Sequence, residues 1–562
     1  MTSSKELIDP ITVEIIRSSL ESAAEEMGAT ISKLAHSLIF AECKDFSVAI
    51  FTADAELLAL AQYVPSHQGG MKTNLDAVLK IIGKDNLFPG DVVMINDPYL
   101  GGLHSQDLTF IAPVFYEGQI IAYGACVAHR TDMGGMEPSS YCPLATEIYQ
   151  EAIRFPAIKL VEKGEMREDI LRLYLTNVRL PEDQIADTQA QLAALRGCER
   201  AIRRMIDKYG VNTFLATAKE ILDVTERRAR AEIEKIPDGV YRAFDYTEHD
   251  GFTDRDWKIQ VAMEIKGSDI YVDFTGTDEQ AKGFINCAPF LAIAQTWVAL
   301  MFWIDPGIPK NHGIYRLFKK IYVPKGTIIN PNFPAPVGAC TVDSAGIVLD
   351  ILLAAFSQAV PEQGLGCWTA TGGSPMFSGI HPETGKPFIH LNLDGLATGG
   401  GARSFTDGWP ASPLASSNMR LPNIEIVEQN FPIRYIKRGL VTDGGGDGEF
   451  RGGSGIEARY EILAPMEVTV RNCRRRHPSP GAAGGLPGGP TLVSIISDGQ
   501  ERLLPQKAVR VPLKKGDIFI IRNCGGGGYG RPEDRDREMV KNDLRDGLIS
   551  LEKARTVYGL KE

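Results

Sequence analysis

The hydrophobic repeat of this chain changes period along its length, and the order of those changes restricts the fold more than any single motif. Asp9-Pro10 supplies an N-cap and a proline at the first helical position. Val13, Ile16, Leu20, Ala24, Met27, Ile31 and Leu34 follow at spacings of three and four, which predicts a helix with one apolar face. Strand-like runs then come in groups: 46–51 and 57–60 around the turn Ala53-Asp54-Ala55-Glu56, a helical stretch at 71–82, then 92–96, 108–115 and 119–128. Strands that follow one another without an intervening helix exclude a βαβ series and predict an α+β fold.

Residues 167–236 are rich in Ala, Leu, Arg and Glu and periodic at a helical spacing, closed by Pro237-Asp238-Gly239. Beyond them, 259–265 and 270–274 read as a hairpin around 266–269, and 345–360 reads as a helix ended by Pro361. From Gly395 onward Gly399-Gly400-Gly401, Gly444-Gly445-Gly446 and 525–528 punctuate β-like runs, a composition suited to tight turns. A charged helix at 534–546 and a short one from Ser550 close the chain. The expected architecture is multi-lobed α+β: an N-terminal α+β region carrying a metal site over 1–166, a helical layer over 167–236, an α+β region over 237–395, a Gly-rich β region over 396–533 and a helical segment over 534–562.

Charge and apolar content exclude several classes of function. With 60 basic against 71 acidic residues the net charge is −11, which argues against nucleic acid as a partner. The longest apolar run, 290–304, is interrupted by Gln295-Thr296 and is shorter than the ~20 residues a bilayer requires. The polar N-terminus, 1–9, lacks the apolar stretch of a leader. Nine cysteines without CxxC spacing fit reduced thiols and a cytoplasmic setting.

GxxxxGK[ST] and GxSxG are absent. Gly525, Gly527 and Gly530 fit GxGxxG, but Pro532 follows at once and too little chain remains for a dinucleotide-binding unit; they read as turn residues. The histidines are more informative. Of nine, two fall in one region: His104, three residues before Asp107 at a strand mouth, and His129 at the end of the next strand. If the two strands form a hairpin, loop length sets parity. A two-residue loop, Glu117-Gly118, puts Asp107 and His129 on opposite faces; a three-residue loop, Tyr116-Glu117-Gly118, makes them diagonal neighbours on one face. Imidazoles with carboxylates suit Zn²⁺, Mn²⁺ or Fe²⁺, with Asp45, Asp97 or Asp132 available as a fourth ligand. His67 sits in a loop, 65–71, that faces the same cleft or caps a helix. Arg474-Arg475-Arg476-His477, the one dense basic cluster, reads as an exposed loop in preference to a grip for an anion. Cys43 lies near the proposed site, with nothing in the sequence to activate it as a nucleophile.

Taken together, Asp9-Pro10 with Glu14, Asp45-Phe46-Ser47, 65–71, 96–107, 129–135, Asp273-Phe274-Thr275-Gly276-Thr277, 333–337, 450–455, Gly525 to Pro532, Gly547-Leu548-Ile549-Ser550 and Tyr558-Gly559 resemble the hydantoinase B / 5-oxoprolinase C-terminal family, end to end. The resemblance implies a metal-bearing B subunit of an ATP-dependent cyclic amide hydrolase, with ATP bound by a separate A subunit in a hetero-oligomer. Carried over by position, it assigns Asp45, His104, Asp107 and His129 to the metal, although Glu42-Cys43-Lys44 departs from the Glu-Arg-type sequence usual before Asp45. Asp132 or His67 is then the general base acting on a small cyclic amide activated through ATP. The same family admits a subunit of an ATP-dependent ketone carboxylase, and a different class of answer is a structural subunit without metal.

Overall fold

The computed structural model describes residues 9–561; the polar stretch at 1–8, expected to lack a leader, lies outside the described residues. Asp9 caps the first helix as its position predicts, its carboxylate accepting from the N–H groups of Ile11 and Thr12, and the helix runs Pro10–Leu34. Its apolar stripe, including Ile16, Leu20, Ala24 and Ile31, is buried.

That stripe packs with the long helix Pro181–Tyr209 on one face of an antiparallel sheet. The sheet is built from β1 (Phe46–Thr52), β2 (Leu57–Leu60), β3 (Val92–Ile95), β4 (Asp107–Tyr116), β5 (Gln119–His129), β6 (Ile158–Glu162) and β7 (Glu165–Met166), in the order β2-β1-β5-β4-β3-β6-β7. The other face carries the helices Pro65–Ile81, Pro289–Leu300 and Ser344–Ala359. Alternation is clean along β1: Phe46, Val48 and Ile50 enter one core, Ala49 and Phe51 the other. The predicted helical layer contains Glu168–Thr176, Pro181–Tyr209 and Val211–Ile233.

The expected hairpin forms between Asp256–Lys266 and Asp269–Asp273 with a tighter turn than read from sequence, because Lys266 itself pairs with Asp269. It belongs to a four-stranded sheet crossed by Ser344–Ala359. The stretch Cys340–Ala359 is long and apolar enough to cross a membrane, but most of it is buried between the sheets. Two further sheets of four and five strands make up the C-terminal part around Phe377, Tyr460, Val468 and Phe519. Asp536 caps the charged helix, which is Arg537–Arg545 and so starts later than its charge run.

The glycine clusters serve close packing more than turning, although the N–H of Gly444 closes a turn on the Val441 carbonyl. None of Gly399 to Gly401, Gly444 to Gly446 or Gly525 to Gly528 has a positive φ. They are extended segments laid against one another so closely that a Cβ on Gly525 would lie 1.8 Å from the Gly444 carbonyl oxygen, and one on Gly526 2.2 Å from that of Gly400. Glycine is required here by backbone contact.

Candidate metal centre

Parity at the β4–β5 hairpin follows neither of the two simple loops. Glu117 and Gly118, both at positive φ, form a two-residue turn with Tyr116 opposite Gln119. That turn alone would send Asp107 and His129 to opposite faces. A bulge intervenes: Phe115 pairs with Ile120 and Val114 with Ala122, leaving Ile121 as one extra residue in β5. Beyond it the parity is restored, and Asp107 lies directly opposite His129. On the other side of β5, the N–H of His129 donates to the carbonyl of Asp45 at 3.1 Å. Asp45, His129 and Asp107 therefore stand in one row across three strands. His104 is brought in by the turn before β4, where the N–H of Asp107 donates to its carbonyl.

His67 is not in a loop. Pro65 occupies the first turn of Pro65–Ile81, and His67 projects from that turn to the row, its Nε2 3.4 Å from Asp107 Oδ2 and 3.9 Å from Asp45 Oδ1. At the centre, Asp107 Oδ1 lies 2.9 Å from His104 Nε2 and 3.1 Å from His129 Nδ1, and those two nitrogens are 3.2 Å apart. A divalent ion held at about 2.1 Å sets tetrahedral ligands about 3.4 Å from one another. The three separations sit close to that, and Asp107 Oδ2 and His129 Nε2 are buried with no hydrogen-bond partner. Two nitrogens and one oxygen converging on a common point, with the second carboxylate oxygen of Asp107 left without a hydrogen bond beside them, fit a cation better than a closed hydrogen-bond network. His104 is oriented from behind, its Nδ1 3.4 Å from the carbonyl of Gly338, the kind of outer contact that aims the other ring nitrogen inward. Gly338 and Val337 are themselves held by N–H donation to Glu151.

Burial and charge compete at every group. Burial resists ionisation of Asp107, but His104 and His67 together hold its carboxyl well below the usual carboxylate range. At Asp45 burial wins over His129 and His67, and the carboxyl is raised. Burial pushes the His104 imidazole down. At His67 the same burial is outweighed by Asp107 and Asp45, which raise it. Above the centre lies a cavity of about 40 Å³, roofed by Leu391, Leu393, Leu396, Leu414, Ser416 and Arg471 from the C-terminal half.

Of the remaining sequence candidates, none reaches this cavity. Asp132 is fully buried elsewhere: it accepts from the N–H groups of Gly134, Ser139 and Arg179 and pairs with the Arg179 guanidinium at 2.9 Å. Every lone pair it could use as a base is engaged in shaping the loop, whereas His67 lines the cavity. Asp97 pairs with Arg154. Cys43 is buried, and burial raises its thiol, the opposite of activation. Arg474, expected on an exposed loop, is instead enclosed between Asp245 and Asp350 at 2.6 Å each, while Arg476 and His477 pair with Asp256. No sequence signal marks Tyr141, whose ring stacks on His129, or Arg471, an ordinary-looking arginine in a strand.

The fold and the centre together define a chain of the Hydantoinase B/oxoprolinase family, whose profile matches residues 9–532, and the chain belongs to that family. It is similar to the caprolactamase subunit beta of Pseudomonas jessenii, at 34% identity over 561 residues that cover 98% of this chain and 96% of that one. The crystal structure of ATP-dependent caprolactamase from Pseudomonas jessenii matches with a TM-score of 0.91 at 32% identity, covering 99% of this chain and 97% of that chain. An acetone carboxylase in its nucleotide-free structure shares the fold, with a TM-score of 0.90 at 19% identity and coverage of 98% and 80%. The α+β architecture expected from sequence is the architecture of this family.

Proposed function

We propose that this chain is the metal-bearing subunit of an ATP-dependent hydrolase of cyclic amides and works with a separate ATP-binding subunit in the cytoplasm. The observation that carries the reading is the convergence of His104, Asp107 and His129, with Asp45 and His67 beside them, in a chain so similar to a caprolactamase subunit. Nitrogen and carboxylate donors suit zinc, manganese or iron. Such an ion supplies charge stabilisation of a developing oxyanion and acidifies water.

The chain's own groups supply the rest. Asp107 and Asp45 place negative charge around the ion position, and His104 and His129 present nitrogens to it. His67 presents Nε2 to both carboxylates, 3.4 Å from Asp107 Oδ2 and 3.9 Å from Asp45 Oδ1, and is the imidazole placed to hold or move a proton there. ATP is assigned to the partner because the one GxGxxG-like stretch has no free donors: the N–H groups of Gly525 to Gly528 donate to Gly489, Gly453, Cys367 and Leu486. Nine unpaired cysteines fit the reducing compartment. The cavity, about 40 Å³, is far below the ~300 Å³ of ordinary ligand pockets, so a cyclic amide enters only when the roof segments separate.

The test is reconstitution with the ATP-binding partner, followed by ATP-coupled hydrolysis of lactams, hydantoins and 5-oxoproline and by elemental analysis. Stoichiometric metal and activity lost in His104→Ala and His129→Ala are expected; full activity in both variants overturns the reading. A β-keto acid formed from a ketone and bicarbonate, in place of hydrolysis, would assign the chain to carboxylation.

A further inference from the structure

One guanidinium in the roof has no counter-ion. Arg471 ends the strand Met466–Arg471, is 2% exposed and lines the cavity over the His/Asp centre. Among the described residues it forms no ion pair, and its Nε and Nη1 have no hydrogen-bond partner. Its guanidinium lies 3.7 Å from the centroid of Tyr141, whose ring stacks on His129 at 5.8 Å. Two nearby buried cations are treated differently. Arg474 takes two carboxylates at 2.6 Å and Lys507 takes Asp343 at 2.7 Å; Arg130, which like Arg471 has no carboxylate and leaves Nε and Nη1 without a partner, donates its Nη2 to Gln191 and Thr188 and does not line this cavity. A buried charge without a partner is costly unless a ligand completes it.

Charge balance points the same way. Asp45 and Asp107 would supply the negative charge that a divalent ion needs, and among the described residues Arg471 is the one guanidinium lining the cavity. We infer that Arg471 is an anion-recognition residue: it receives the carboxylate or phosphoryl oxygens of the species brought to the His/Asp centre. A guanidinium presents paired N–H donors in a planar fork that matches either group. The inference rests on the proposed function and deepens it, because it makes the molecule accepted by this subunit an anion. A neutral lactam would satisfy it only after acquiring a charged group.

The test is calorimetric titration of the zinc-loaded chain with inorganic phosphate and, separately, with acetate. Saturable one-to-one binding is expected, weakened about tenfold or more in Arg471→Gln, with zinc content by elemental analysis and the denaturation midpoint unchanged. Tighter phosphate binding assigns the site to a phosphoryl group, and tighter acetate binding to a carboxylate. Unchanged affinity in Arg471→Gln, or no saturable binding of either anion to the unsubstituted chain, overturns the inference. If Arg471→Gln does not fold, Arg471→Lys decides. It keeps the charge and loses the fork, so an affinity reduced about threefold or more supports the assignment and an unchanged one overturns it. Failure of ATP-coupled hydrolysis with the partner would refute the functional reading, while the anion titration still reports on Arg471.

Discussion

The glycine layer and the His/Asp centre are both deeply buried and both assembled from segments far apart in the chain, yet they treat polar atoms in opposite ways. In the glycine layer the N–H groups of Gly525 to Gly528 each find a carbonyl on another segment. In the centre Asp107 Oδ2, His129 Nε2 and His67 Nδ1 are buried without a hydrogen bond. Folding tolerates few such orphans, so where they cluster, the protein is prepared for something that is not protein. The two arginines near the junction repeat the contrast on a smaller scale: Arg474 is closed by two carboxylates, Arg471 by none.

The comparison is most sharply tested by damaging the satisfied region. Gly526→Val would drive a Cβ to within 2.2 Å of the Gly400 carbonyl oxygen, against the backbone of Gly400 and Gly401. A cost above about 4 kcal/mol and loss of folded, soluble protein are expected. A variant with the midpoint of the unsubstituted chain in urea would show that the layer is not tightly packed. Next in size is Arg474→Met, which strands Asp245 and Asp350. It should destabilise by about 3–5 kcal/mol, measured in the same titration. Arg471→Met strands no carboxylate, and its cost should stay below about 1 kcal/mol. Equal losses at the two positions would erase the distinction drawn between them.

Damage to the unsatisfied region should separate function from folding. Asp107→Asn removes the carboxylate shared by His104 and His129. Metal affinity should fall on the order of 100-fold and hydrolysis with the partner should cease, while the urea midpoint moves little. Retained metal in this variant would break the assignment of the centre.

How much of this was readable from sequence depends on how local each feature is. The Asp9 cap, the first helix and the helix ended by Pro361 are set by neighbouring residues, and they appear where the pattern places them. The pairing of His104, Asp107 and His129 was visible as spacing, but its register was not, because the bulge at Ile121 is a backbone choice with no side-chain signature. His67 was misplaced for a different reason. Gly69 and Gly70 read as a loop, whereas in the helix they admit Ala294 and Leu103 at close range. The glycine layer and the isolation of Arg471 are products of packing between distant segments, which no window of sequence contains.

Glu151 carries the smallest effect for any single pH unit and lies between the two behaviours. It is fully buried like the centre, yet both its oxygens are satisfied, by the N–H groups of Val337 and Gly338. Burial lifts its carboxyl from 4.5 to about 8, against the pull of those two donors. The folded chain thus keeps a proton that the unfolded chain releases. The associated stability is whole below the unfolded value, near pH 4.5, and is lost as pH rises through about 8. Within that window the loss should approach 1.4 kcal/mol per pH unit, about one proton's worth. Glu151→Gln, measured by urea unfolding from pH 5 to 8, should remove this slope from the difference between variant and unsubstituted chain. Its amide offers only one acceptor to two donors, so the 337–338 segment should loosen and His104 with it, lowering metal affinity by about tenfold. Parallel stability profiles would show that Glu151 is ionised in the fold. The contact behind His104 would then be held by a buried carboxylate, and the site would begin one residue layer further out than the comparison places it.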